Sequence, residues 1–414
     1  MQNPFNPYRN LRLFVVCFAA LAASLPMAWV SLSKVLLFTV SLGYLLTGFF
    51  KASDPFAPPP LFSTRLLLII LMAFAASMLW SEVDLDFALA MLIKHAKLLQ
   101  IVLLVYLVRD AREAGVALKV FVWGQIFILA SSWLLAAGLA LPWVLNDQAN
   151  LATHNVVFSE SYLDQSIMLA TLAAVVWHLQ SEWKWPRYLC AAIAVAALLN
   201  VLLLLPGRTG YVACFAVLGL ALVWGLPKKL RWALLLAGPL LLVVVLSLGA
   251  NKVSTRMAAV LQESQNYSQN NDTASSSGWR LNAWHRSVQA IAQKPVYGYG
   301  VGSWAAAVKR LDGDKAVADF GSGNSSNPHQ EYLLWGVELG LMGPLLLLGL
   351  FACLVWDSRL FPPGIQRAAQ STVAVTAIAC LFNSTLYDAL IGDYLCTALG
   401  LLMALGLRRK LAAP

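Results

Sequence analysis

Tyr332-Leu-Leu-Trp-Gly-Val-Glu-Leu-Gly-Leu-Met-Gly-Pro-Leu-Leu-Leu-Leu-Gly-Leu-Phe-Ala-Cys-Leu-Val-Trp356 is almost uninterrupted apolar sequence and long enough to cross a bilayer as a helix. Runs of the same kind recur on both sides of it. We place spans near 12–30, 34–50, 65–80, 94–108, 116–141, 163–180, 187–205, 210–226, 231–250, 332–356, 368–387 and 393–407, about twelve transmembrane helices. The fold class expected is all-α: a polytopic membrane protein with one large outer loop. That loop, 251–331, separates nine spans in 1–250 from three in 332–414.

Composition agrees. Of 414 residues, 59% are hydrophobic and 12% charged, about half the charged share of a soluble domain. The net charge of +9 carries meaning through its placement. Arg9, Arg12, Lys51, Arg65, Arg109, Arg112, Lys119, Lys184, Arg187, Lys228, Lys229, Arg231, Arg359, Arg367, Arg408, Arg409 and Lys410 all fall in short connections on one side, if the chain starts in the cytoplasm. Most of the other basic residues lie in the long loop, where charge orients weakly. Both termini are therefore expected in the cytoplasm. No convincing small-residue cleavage site follows the first apolar run, which reads as a retained helix. The six cysteines sit in apolar stretches without metal or disulfide spacing. Basic patches with interleaved aromatics are absent, so no nucleic acid partner is expected. Signatures of zinc proteases, phosphate-loop ATPases and serine hydrolases are also absent.

Within the long loop, Gln262 to Gly278 is rich in Ser, Asn and Gln and reads as mobile. Beyond it, Trp279, Leu281, Trp284, Val288 and Ile291 recur at helical spacing, so 279–293 reads as an amphipathic helix on the membrane or over a cavity. The glycine-rich turn from Tyr297 to Gly302 closes it.

Three positions carry chemistry best. Arg208, in Leu205-Pro-Gly-Arg-Thr-Gly210, joins a guanidinium to a helix start, an arrangement suited to phosphate. Arg280 shares a helix face with Trp284, whereas Arg286 points elsewhere. His329, at the loop exit, brings an imidazole that can take a proton from a hydroxyl or donate to phosphate. Glu82, Asp84 and Asp86 contain an Asp-x-Asp spacing of the kind that holds a metal, though a segment whose acids offset Lys94 and Lys97 accounts for it better. A transporter or a lipid-linked sugar flippase would need charge within the spans, and nearly all ionisable residues read as lying at span ends.

His329-Gln330, followed nine residues on by Gly340 and then by Gly343, is similar to the His-[Asn/Ser/Gln]-x9-Gly-x2-[Gly/Thr/Tyr] signature of bacterial O-antigen ligases. Pro206-Gly-Arg208-Thr-Gly, Gly278-Trp-Arg280-x3-Trp284 and Pro295-x2-Gly298-x-Gly300 also resemble the ligase and polymerase superfamily. The resemblance implies a GT-C-like glycosyltransferase of the bacterial inner membrane, with its active site facing the periplasm. Such an enzyme moves O-antigen from undecaprenyl diphosphate to the lipid A–core with inversion, without metal or other cofactor. It implies that Arg208 and Arg280 bind the diphosphate, and that His329 acts as base toward the acceptor hydroxyl or orients it, or instead holds the diphosphate. Gln330, Asp388 and Asp393 are secondary positions. The rival readings are an O-antigen polymerase and a protein O-oligosaccharyltransferase of the same superfamily. Polymerases of this kind tend to have two comparable arginine-bearing outer loops, and a single dominant one favours the ligase.

Overall fold

The computed structural model describes residues 7–46, 61–144, 155–158, 161–227, 252–270, 275–312 and 327–412. Its helices are α1 (Pro7–Ala22), α2 (Met27–Leu46), α3 (Phe62–Ser77), α4 (Leu85–Ala96), α5 (Leu99–Leu107), α6 (Ala111–Ala136), α7 (Tyr162–Trp183), α8 (Arg187–Leu203), α9 (Arg208–Gly225), α10 (Lys252–Asn270), α11 (Ser276–Gln293), α12 (Trp304–Asp312), α13 (Glu331–Leu339), α14 (Met342–Ser358), α15 (Pro363–Phe382) and α16 (Ala389–Leu411). Among the described residues there is no strand. Among the described residues six segments are long and apolar enough to cross a membrane: α2, α3 with the 3₁₀ turn after it, α6, α9, α15 and α16. The bent pair α4–α5 would supply a seventh, and α8 and α14 are apolar but shorter. The chain is thus an all-α membrane protein. The span expected at 231–250 lies outside the described residues.

Several expected boundaries move, each for a local reason. Pro26 lacks an N–H to continue α1, and its carbonyl accepts from Trp29 N in the first turn of α2, so 12–30 and 34–50 become 7–22 and 27–46. The span expected at 94–108 starts earlier, at Leu85, and bends by 43° after Ala96. The stretch 332–356 is two helices, because Gly340 adopts φ 66° and a Cβ there would meet Pro295 O at 2.5 Å. Residues 262–270, expected to be mobile, continue α10 to Asn270. Glu263 ties that helix to its surroundings through Arg208 and Ser277.

α16 is buried along its whole apolar window and packs against α5, α6 and α15. Beside it α7 packs on α8, α9 and α15. At one end of the molecule, Arg9 and Arg12 meet Glu113, Arg408 Nε donates to Val108 O, and Arg409 pairs with Glu182. The start of α1 and the end of α16 therefore share one face of the bundle. Glu113 also closes the first turn of α6: Asp110 accepts from Glu113 N and Glu113 accepts from Arg109 N.

Ionisable groups are not confined to span ends. Lys34 pairs with Asp393 at 2.6 Å, and His95 meets Glu338 at 3.0 Å with both side chains almost wholly buried. The sequence reading missed these because each partner lies on a different span, and burial of either charge is sustainable only with the other in place.

Candidate functional site

The first turns of α7 and α9 and the last turn of α15 meet beneath α10 and α11. Gly207 leads into α9 with extended backbone, φ −76° and ψ 106°, and gives no side-chain cap. Close packing fixes that entry: a Cβ on Gly210 would collide with the Ser166 side chain of α7. Arg208, first residue of α9, then reaches over the loop helices. Its Nη1 donates to Ser277 Oγ at 2.9 Å and its Nη2 to Glu263 Oε1 at 3.4 Å. The other Glu263 oxygen accepts from Ser277 N at 3.2 Å. Burial raises the Glu263 carboxyl, but the Ser277 bonds and the Arg208 charge outweigh it and hold the pKa below its ordinary value.

Ser275 caps α11 by accepting from Gly278 N, which places Trp279 and Arg280 in the first turns, where the helix dipole is positive. Among the described residues Arg280 has no carboxylate within salt-bridge distance. Burial, then the like charge of Arg208, lowers its pKa from the ordinary arginine value. Two guanidiniums and a helix N-terminus thus gather positive potential, and among the described residues Glu263 is the carboxylate paired with it. Arg286 instead bonds Gln289 on its own helix, in keeping with the expected division of faces.

His329 is held in the left-handed region, φ 50°, with its N–H donating to Asn327 Oδ1. Its ring lies edge-on to Trp279, centroids 5.1 Å apart, and Trp284 Nε1 donates to the carbonyl of Pro328. α11 therefore packs against the His329 segment through Trp279 and Trp284.

The orientation of the imidazole follows from its partner. Asn383 Nδ2 donates to Asp388 Oδ2 at 2.8 Å, and Asn383 Oδ1 lies 2.8 Å from His329 Nδ1. A carboxylate only accepts, so the amide nitrogen must face Asp388 and the amide oxygen must face His329. An amide oxygen also only accepts. Nδ1 therefore carries a proton, which leaves Nε2 as the nitrogen with a lone pair to offer in the neutral ring. Burial raises the Asp388 carboxyl from its ordinary value, with His329 and Lys97 pulling it back.

Below this lies a buried frame. Glu331 accepts from Leu386 N, Tyr387 N and Trp335 Nε1, while Lys97 donates to the carbonyls of Tyr387 and Asp388. Glu338 joins His95 to Gly302 N, docking the glycine turn. Gln330 caps α13 by accepting from Leu333 N. Asp393 faces Lys34 and Gln100 inside the bundle. Glu82 pairs with Lys294 and Arg310, so the acids of that loop do not offset Lys94 and Lys97, which turn instead toward Tyr387 and Asp388. Asn383, Glu263 and Glu331 were not singled out from sequence. Only Glu331, next to the His-Gln pair, stood near a readable motif.

Residues 193–348 match the family model described as O-antigen ligase. No curated protein matches the chain.

Proposed function

Through its segment 193–348 this chain belongs to the O-antigen ligase family, and from that premise we propose that it transfers O-antigen from undecaprenyl diphosphate to a sugar of the lipid A–core, by a metal-independent inverting step at the periplasmic face of the bacterial inner membrane. In this reading about twelve helices cross the membrane and both termini are cytoplasmic. The observation that carries the proposal is the fixed imidazole: Asn383 Oδ1, oriented by Asp388, accepts from Nδ1–H and leaves Nε2 to serve as the base, on a loop whose helices also meet Arg208 and carry Arg280.

The acceptor hydroxyl gives its proton to His329 Nε2 as its oxygen attacks the anomeric carbon. The bond from that carbon to the diphosphate oxygen breaks, and its electron pair leaves with the phosphate. Attack opposite the leaving group inverts the anomeric centre. Arg208 and Arg280 meet the charge that builds on the leaving oxygen, in a setting preorganised before substrate arrives. Glu263 holds Arg208 until a phosphate takes its place, and relief of the repulsion between the two guanidiniums favours that exchange.

The test is a ligation assay with purified protein, lipid-linked O-antigen and O-antigen-free lipopolysaccharide in the presence of chelator. Laddered lipopolysaccharide from wild type, lost in folded His329→Ala, supports the reading. Folded wild type that makes no ladder, but lengthens lipid-linked glycan or modifies a protein, assigns the chain to the polymerase or protein O-oligosaccharyltransferase instead.

A further inference from the structure

α7, α9 and α15 each have one end at the transfer site, and their other ends converge on a cavity of about 610 Å³. At 22, 18 and 20 residues, they separate the two places by about 27–33 Å, close to the hydrocarbon thickness of a bilayer. With α9 and α15 crossing the membrane as proposed above, the cavity sits at the opposite membrane surface. It is built on different residues and different chemistry from the site above.

Lys184, Arg187 and Arg367 line it, and among the described residues no Asp or Glu does. Among the described residues none of the three has a carboxylate within 4 Å. The neighbouring, smaller cavity differs, since Glu182 lines it and pairs there with Arg409. Two helix starts also border the larger cavity: Arg187 opens α8, and Pro363 and Gly364 open α15, and neither helix has a side-chain cap. Their free N–H groups and dipoles add positive potential.

His178 supplies a further sign of a polar ligand site. Its side chain lines the cavity and is only 8% exposed, and among the described residues its buried Nε2 has no hydrogen-bond partner. A buried polar atom of this kind calls for a partner. The walls are aromatic: Trp224 lies edge-on to His178 at 5.0 Å, and Arg187 stands over the Trp177 ring. Tryptophan at this depth suits the headgroup region of a membrane.

We infer that this cavity binds the phosphate of an anionic phospholipid headgroup at the membrane surface opposite the transfer site. Cations without carboxylates select a phosphodiester carrying net negative charge over a zwitterionic one, and the tryptophans seat the glycerol and upper acyl chains.

The test uses the full chain, purified in detergent and stripped of lipid, with native mass spectrometry during titration with phosphatidylglycerol or phosphatidylethanolamine of the same acyl chains. One equivalent of phosphatidylglycerol should be retained, more tightly than phosphatidylethanolamine. The double variant Arg187→Ala/Arg367→Ala should hold it about thirtyfold more weakly, with phosphatidylethanolamine unaffected. Arg367→Gln, of nearly the same length, provides the reading if the double variant aggregates on size exclusion. Equal affinity for the two lipids, or phosphatidylglycerol binding indifferent to both variants, overturns the inference. Inorganic phosphate binding as tightly as phosphatidylglycerol overturns it too, because the ligand would then be a soluble anion.

Discussion

Arginine appears at both ends of α7, α9 and α15, in opposite company. At one end Arg208 is answered by Glu263, while Arg280 stands near it, and a histidine with a directed proton follows in the same loop as Arg280. At the other end Arg187 and Arg367 face tryptophans and an orphaned histidine nitrogen, with no acid among the lining residues. The first arrangement can exchange one anion for another and move a proton. The second can only hold an anion. The same residue type thus serves reaction or retention according to the acids and bases placed beside it.

The largest effect should come from the proton acceptor. His329→Ala is expected to lower ligation by about 10³-fold, measured as the rate of ladder formation, with helical content by circular dichroism unchanged. Arg280→Ala follows at about 10²-fold in kcat/KM. Arg280→Lys should recover only part of this, because an ammonium lacks the planar fork that matches phosphate oxygens. Full activity in Arg280→Ala would remove the leaving group from that end of the molecule.

The Asn383–Asp388 chain predicts a pH dependence. Burial raises the Asp388 carboxyl above its ordinary 3.8. Folding then favours the protonated acid, so this group's contribution to stability is fully present below 3.8 and lost as pH rises through the raised value. Activity runs the other way. It needs the carboxylate to accept from Asn383, so it falls as pH drops through that value. Asn383→Leu should cost about tenfold in kcat by releasing the imidazole, and the acid limb assigned to Asp388 should weaken with it. An acid limb unchanged in a pH profile of Asn383→Leu would break the chain as drawn.

Glu263→Gln should act in the opposite direction, lowering KM for the lipid-linked donor a few-fold by freeing Arg208. A raised KM would mean that Glu263 positions Arg208 and does not compete for it. The smallest effect belongs to the far end. Glu182→Gln removes a half-exposed pair with Arg409 and should change stability by about 0.5 kcal/mol, read by thermal unfolding.

Much of this was legible in the residues. The apolar runs announced an all-α membrane protein, and the recurrence of Trp279, Trp284, Val288 and Ile291 drew the loop helix before it was seen from Ser276 to Gln293. Arg208, Arg280 and His329 stood out by residue type and neighbours. Asn383 did not, because an asparagine before an outer turn has no signature of its own. Nor did Glu263, placed in a stretch whose composition suggested mobility but which α10 carries as helix.

The sequence alone determined the solvent of this protein and the chemical types at its candidate site, because hydropathy and side-chain chemistry are properties of residues. Tertiary structure decided which nitrogen of His329 faces Asn383, which acid faces Arg208, and that Lys184, Arg187 and Arg367 share one cavity. Those are relations between residues far apart in the chain. Hydrogen bonds act over about 3 Å and packing excludes water only where helices meet, so no local pattern could have contained them.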